Sequence, residues 1–215
     1  MLALLQLAFV PPATRPRRRP RQARSRLTVE AILDAAARVF ERHGYAAGTT
    51  NRIAERAGIS IGSLYQYYPN KDAILVALVE RHLDEGVAAL TPLLEELRDA
   101  PPPLGEGMAR LVAAMVALHR ERPRLHRVLF EEAPRPPALR RRLAALEAAL
   151  AAGVADYLRA SGAALAPARD PALAARLVVQ VVESVTHELV LRPGATAIDT
   201  YAAETVAMLH GYLAR

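Results

Sequence analysis

The chain has 215 residues and a formal net charge of +6, with no Cys and no Trp. Hydrophobic residues make up 52% of it, enough for a sizeable core, which excludes wholesale disorder. The lack of Cys excludes disulfide scaffolds, thiolate metal sites and cysteine nucleophiles, and it fits a reducing, cytoplasmic setting. No apolar run approaches the ~18 residues of a membrane span.

In chain order, residues 1–10 (MLALLQLAFV) are apolar but lack the basic start and small-residue cleavage site of a secretory signal. An upstream start codon explains them as well as a targeting role does. Residues 11–26 combine four Pro with seven Arg, which predicts a disordered basic arm over residues 1–26. The charge follows this division. Residues 1–75 carry a net +7 and residues 76–215 a net −1. Such an asymmetry points to a polyanion partner for the first third, either nucleic acid or an anionic membrane surface.

Thr28 can cap a first helix, whose apolar face is Val29, Ile32, Ala36, Val39 and Phe40, and Gly44 is a stop for it. Residues 49–71 read TTNRIAERAGISIGSLYQYYPNK. Thr49 caps a short helix with Ile53, Ala54 and Ala57 on its apolar side. Gly58 supplies a tight turn, with Ile59 as a plug behind it. Ser60 caps a second short helix that Pro69 ends, and Asn70 caps the next one. A short helix, a Gly turn and a second short helix is the helix-turn-helix arrangement, whose second helix enters the DNA major groove. Leu64 and Tyr68 are spaced to face inward. Ser60, Ile61, Gly62, Ser63, Tyr65, Gln66 and Tyr67 are left largely outside, as a hydroxyl-rich surface with one amide. Hydroxyls and helix N-terminal N–H groups suit phosphate oxygens, and Gln suits base edges.

The remainder reads as helices over 71–98, 104–120, 124–132, 137–161, 171–191 and 198–213, broken by Pro and Gly clusters. No stretch alternates as a strand would. The expected fold is all-α, with about nine helices in total. Its divisions are the arm at 1–26, a helix-turn-helix domain at 27–72 and a larger helical domain at 73–215.

The stretch TTNRIAERAGISIGSLYQYYPNKDAIL, with AILDAAARVFERHGY before it, strongly resembles the DNA-binding domain of the tetracycline-repressor (TetR) family of bacterial transcription regulators. The resemblance covers about 27–75. It implies a homodimer on a palindromic operator, with a C-terminal domain that dimerises and binds a small apolar or amphipathic effector. It implies repression, relieved by that ligand. By position, Thr49 and Asn51 would contact phosphates, and Ser60, Ile61, Gly62, Ser63, Tyr65, Gln66 and Tyr67 would face the major groove. Lys71 would hold a phosphate at the start of the fourth helix. Ile61 departs from the Lys common at that place, and Tyr68 from the more frequent Phe. The resemblance also gives the basic arm a role in nonspecific DNA affinity.

In the C-terminal two thirds, Val178, Val181, Val185 and Leu189, with Tyr201, Thr205, Met208, Leu209 and Tyr212, form apolar stripes on the last two helices. They are broad enough to pack on a symmetry mate as a four-helix bundle. Met108, Leu111, Met115, Leu118, His119, Phe130, Tyr157 and Val182 are candidate pocket-lining residues. The histidines show no ligand spacing, so no metal site and no cofactor are expected. No enzyme motif is present, and Glu95 with Glu96, and Glu131 with Glu132, read as solvated neighbours. The alternative to a regulator is a non-enzymatic interaction or membrane-surface module built on the basic arm, which leaves residues 49–71 unexplained.

Overall fold

The computed structural model describes residues 23–120, 122–162, 165–191 and 198–214. These form helices α1 (Ala23–Ala47), α2 (Thr50–Ala57), α3 (Ile61–Tyr67), α4 (Lys71–Asp99), α5 (Leu104–Arg120), α6 (Pro123–Arg127), α7 (Pro137–Ala160), α8 (Pro171–Leu191) and α9 (Ile198–Leu213). A π-helical turn, Val128–Glu132, continues α6. There is no strand among the described residues. The Val-rich run from Val178 is helical, as its long apolar flanks predict.

The start of α1 differs from expectation. The helix begins at Ala23, so Thr28 lies inside it and is not its cap. The last Pro of the basic run is Pro20, and the residues after it, RQARSR, contain nothing that breaks a helix. At the other end Gly44 does interrupt the helix, with φ 70 and ψ 175, a conformation that side-chain-bearing residues avoid. The expected apolar segment 1–10 and most of the arm lie outside the described residues, as does the Pro193 and Gly194 break.

The described chain forms two compact units. One runs to His82 and takes in Arg124–Arg140; the other holds Leu83–Pro123 and the chain from Arg141 onward. The expected boundary at 72/73 instead falls in the first turn of α4. In the first unit, α1 packs on α2, α2 on α3, and α1 also meets the π-helical turn. Ile32, Phe40, Ile53, Leu64, Ile74 and Leu75 are fully buried in it. Each fully buried aliphatic or aromatic side chain of this kind contributes about 1.5–3 kcal/mol, and Ile53 and Leu64 are the anchors of the two short helices α2 and α3.

In the second unit, α5 packs on both α8 and α9. Tyr157 of α7 is fully buried, and its hydroxyl donates to the backbone oxygens of Pro102 (3.1 Å) and Pro103 (3.3 Å) just before α5. Gly107 makes this possible. A Cβ there would lie 2.1 Å from the Tyr157 hydroxyl oxygen. The C-terminal end of α9 is closed by Arg169. Its Nε donates to Tyr212 O at 3.0 Å, and its guanidinium lies over the Tyr212 ring.

Gly107→Ala therefore forces either α5 or Tyr157 to move. The expected outcome is a loss of about 1–3 kcal/mol of stability, read as a lower thermal midpoint by circular dichroism, with the helical content of the folded protein unchanged.

Candidate nucleic-acid interface

The helix-turn-helix is built by caps at each of its ends. The Thr49 hydroxyl accepts from Arg52 N at 3.3 Å and starts α2. Gly58 stops it in the left-handed region (φ 68, ψ 30). Gly58 N–H donates to Glu55 O and Ile59 N–H to Ala54 O, both at 3.1 Å, which satisfies the last carbonyls of α2. Ser60 then starts α3, its hydroxyl accepting from Ser63 N at 3.1 Å. Asn70 starts α4 by accepting from Ala73 N at 2.9 Å.

These caps set where α3 begins and where its neighbours end. Leu64 is fully buried and Tyr68 nearly so, as their i, i+4 spacing predicts. Burial, with a smaller contribution from Glu80, pushes the Tyr68 phenol up to about 12, so it stays neutral. Ile61 is 37% exposed and Tyr65 40%. Gly62 and Gln66 are exposed too, while Ser63 and Tyr67 are half-buried. Ser60, Thr49 and Asn51 are also exposed. The outward surface is thus the hydroxyl-rich one, and α3 itself carries no charged side chain.

Three features escaped the sequence reading. The Tyr65 hydroxyl lies 3.2 Å from the Thr50 hydroxyl, so the first turn of α2 fixes where the Tyr65 ring points. The Ser25 hydroxyl reaches the Tyr67 hydroxyl at 3.4 Å, so the basic run of the sequence joins the folded unit beside the end of α3. Arg42, His43 and Arg52 are exposed and close enough to interact. His43 is held below the usual histidine range by desolvation first, then by the Arg52 and Arg42 guanidiniums.

Lys71, the expected phosphate ligand, has partners within the protein. Its ammonium donates to Tyr45 O at 2.9 Å and Ala46 O at 3.4 Å, and sits 4.0 Å from the centre of the Tyr45 ring. Tyr45 in turn donates its hydroxyl to the Asp72 carboxylate. Lys71 therefore serves the carbonyl end of α1, which carries negative partial charge.

The family pattern described as bacterial regulatory proteins, tetR family, matches residues 32–78, and that described as tetracyclin repressor-like, C-terminal domain, matches residues 103–213. The chain belongs to the TetR family. Among its relatives is the transcriptional activator FasR of Mycolicibacterium smegmatis, 37% identical over 68 residues, which are 32% of this chain and 31% of FasR. The curated relatives are thus matched over only about a quarter to a third of their length. Solved structures match over most of the chain at lower identity, which shows the fold. NalD of Pseudomonas aeruginosa, a repressor of a multidrug efflux pump, has a TM-score of 0.69 at 21% identity, over 90% of this chain and 99% of that one. FadR of Bacillus subtilis, solved with stearoyl-CoA, has a TM-score of 0.64 at 19% identity, over 86% of this chain and 98% of that one.

In the TetR C-terminal region the expected pocket residues divide. Leu111, Met115 and Val182 line one small cavity. Met108 and Tyr157 are instead fully buried core residues that do not line it. Phe130 belongs to the first unit, where it stacks on His126 with ring centres 4.1 Å apart. Leu118 is half-buried. His119 is buried, with Nδ1 2.6 Å from Met115 O and its ring edge-on to His187. The histidines, scattered in sequence, pair in space: His82 with His126, and His119 with His187.

The expected dimer residues also divide. Val178, Thr205 and Leu209 are buried in the chain's own core, and Val181, Val185 and Tyr212 are half-buried. The side chain of Leu189 lies outside the described residues. Tyr201 and Met208 are exposed, and so are Leu173 and Leu177 on α8. Each of these pairs falls on one stripe of its helix, at i, i+7 on α9 and i, i+4 on α8. The correction is one of phase: an apolar stripe that wraps past its helix's buried face does not reveal which edge is outermost.

Gly58→Ala tests the turn between the two helices. A Cβ at that positive φ costs about 1–2 kcal/mol even though nothing crowds the position. The thermal midpoint should fall accordingly, and DNA affinity measured well below that midpoint should change little.

Proposed function

We propose that this TetR-family chain is a ligand-responsive transcription regulator that binds a palindromic operator as a homodimer and represses until a small molecule releases it. The observation that carries the reading is the rotation of α3. Leu64 and Tyr68 are anchored inward, and Ile61, Tyr65 and Gln66 are presented outward. Gln66 suits an adenine edge, and Ile61 suits a thymine methyl. Thr49, Asn51 and Ser60 supply polar groups at the helix N-termini, where backbone N–H groups attract phosphate. Arg42 and Arg52 add positive charge to the same unit.

Dimerisation through α8 and α9 follows from Leu173, Leu177, Tyr201 and Met208. These large apolar side chains are exposed on the single chain, and a two-fold mate would bury them. A dimer presents two copies of α3, which must sit about 34–36 Å apart to enter successive major grooves on one side of a duplex. Release then needs only a ligand that binds better to a form with the wrong spacing, because a ligand shifts an equilibrium by its difference in affinity between the two forms. FasR is an activator and NalD a repressor, so the sign of regulation is open to direct test in a reporter strain.

A mobility-shift titration with the DNA upstream of the chain's own gene tests the recognition face. Tyr65→Ala and Gln66→Ala should each weaken binding about tenfold or more, the ~1–3 kcal/mol of one good base contact. Both variants should run as parent-sized dimers on gel filtration. Parent-like DNA binding by both would move the recognition surface off α3.

A separate pair, Leu177→Glu and Met208→Glu, tests the dimer face. Each should shift the protein toward monomer in sedimentation and cut operator affinity without lowering helical content. An unshifted dimer would place the interface elsewhere.

A further inference from the structure

The small cavity in the second unit has one polar wall. Leu90 of α4, Leu111 and Met115 of α5, and Val182 of α8 line it, and Glu183 is the single titratable side chain on it. It holds about 20 Å³, room for little more than a water. An open groove of about 500 Å³ runs along the seam of α7 and α8 in the same unit. Its floor is alanine (Ala144, Ala148, Ala151, Ala155), and it carries Glu147. Val179 lines both spaces, and no other residue is common to the two linings.

Each space also carries one carboxylate, Glu183 on the cavity and Glu147 on the groove. Glu183 and Glu147 stand close enough to repel, and among the described residues no cation makes an ion pair with either. Burial first, and then Glu147, pushes the Glu183 carboxyl above its usual range. A carboxylate on an apolar cavity with no countercharge is unfavourable for folding, and a bound cation would supply the missing partner. The cations of the groove are elsewhere. Arg159 is paired with Asp156 at 2.7 Å, and it lies about 18 Å from Glu147 along α7, at 1.5 Å per residue. Arg176 lines the groove on α8 three residues before Val179 and seven before Glu183, about 10 Å from Glu183 along the helix axis.

We propose that displacement of Val179 joins the cavity to the groove as one binding site for a hydrophobic organic cation, whose charge sits between Glu183 and Glu147 and whose apolar body lies on Leu111, Met115 and the alanine floor. The joined space is of the size that holds drug-sized ligands, roughly 300–1,000 Å³. The inference rests on the proposed regulator function only in taking this molecule as the effector; the site and its charge preference stand on the geometry.

The test uses two probes of one shape and opposite charge, tetraphenylphosphonium and tetraphenylborate, in calorimetric titrations of the full chain. The expected result is saturable binding of the phosphonium at least tenfold tighter than the borate. Glu183→Gln and Glu147→Gln should each weaken the phosphonium about tenfold and leave the borate unchanged or tighter. Glu183→Gln should keep or raise the thermal midpoint at neutral pH, because it removes a charge that burial disfavours, so lost binding is not lost folding. Equal binding of both probes, binding of neither, or phosphonium binding untouched by both substitutions would overturn the site. DNA binding by the parent protein without probe is measured separately. If the phosphonium binds as expected and DNA is not bound, the regulator reading fails and the cation site stands.

Discussion

Everything the outward surface of α3 can present depends on the burial of Leu64 and Tyr68. A seven-residue helix has no stability of its own in water, because nucleation fixes several residues before the hydrogen bonds repay it. α3 exists because Ser60 caps it and because those two side chains leave water. The same two contacts set its rotation about its axis, and that rotation decides which side chains face outward. An apolar contact on the inner side thus determines which polar groups are presented on the outer side. Tyr68 illustrates the economy of this: its ring is buried like that of a Phe, and its phenol is kept neutral by the same burial.

The outer side is held as firmly as the inner one. Thr50 fixes the Tyr65 hydroxyl from α2, and Ser25 meets the Tyr67 hydroxyl from α1. Each tyrosine is long, and a free one would lose rotamer entropy on meeting DNA; a tethered one has already lost it on folding. Lys71 belongs to the same logic. Its three donors are in part spent on Tyr45 and Ala46, and Tyr45 is tied to Asp72, so the end of α1 and the start of α4 are locked together around the helix pair.

What could be read from the sequence was what local chemistry decides. Thr49, Gly58, Ser60 and Asn70 are caps and stops whose side chains or φ angles act within three residues, and all four act as their residue types predict. The proline clusters before α5 and α7 bound those helices for the same reason. What could not be read was whatever depends on which neighbour a side chain meets. Thr28 has a cap's chemistry but lies inside a helix that continues upstream of it. Val178 and Leu177 are adjacent and equally apolar, yet one is buried and the other exposed, because the phase of α8 against α5 and α9 is a tertiary fact. His119 and His187 are far apart in sequence and 5.3 Å apart in space. Glu183 carried no local signal at all; only the cavity makes it unusual.

The alanines of α7 bear on how a molecule could enter the second unit. Gly153 and Tyr157 mark the closely packed side of this helix: a Cβ at 153 would lie 2.8 Å from a Leu94 methyl carbon, and Tyr157 closes on Gly107. The side that meets the groove is lined by Ala144, Ala148, Ala151 and Ala155, which fill little space and make few dispersion contacts. A helix gripped on one side and loosely filled on the other yields first along the loose side, since fewer contacts are given up there. Arg142, paired with Asp84, and Arg110, paired with Glu96, are exposed or half-exposed pairs that add little resistance to such a movement. Small residues at the seam are therefore more than neutral filler: replacing them with leucines would fill the groove, strengthen the packing and remove the space that a ligand needs.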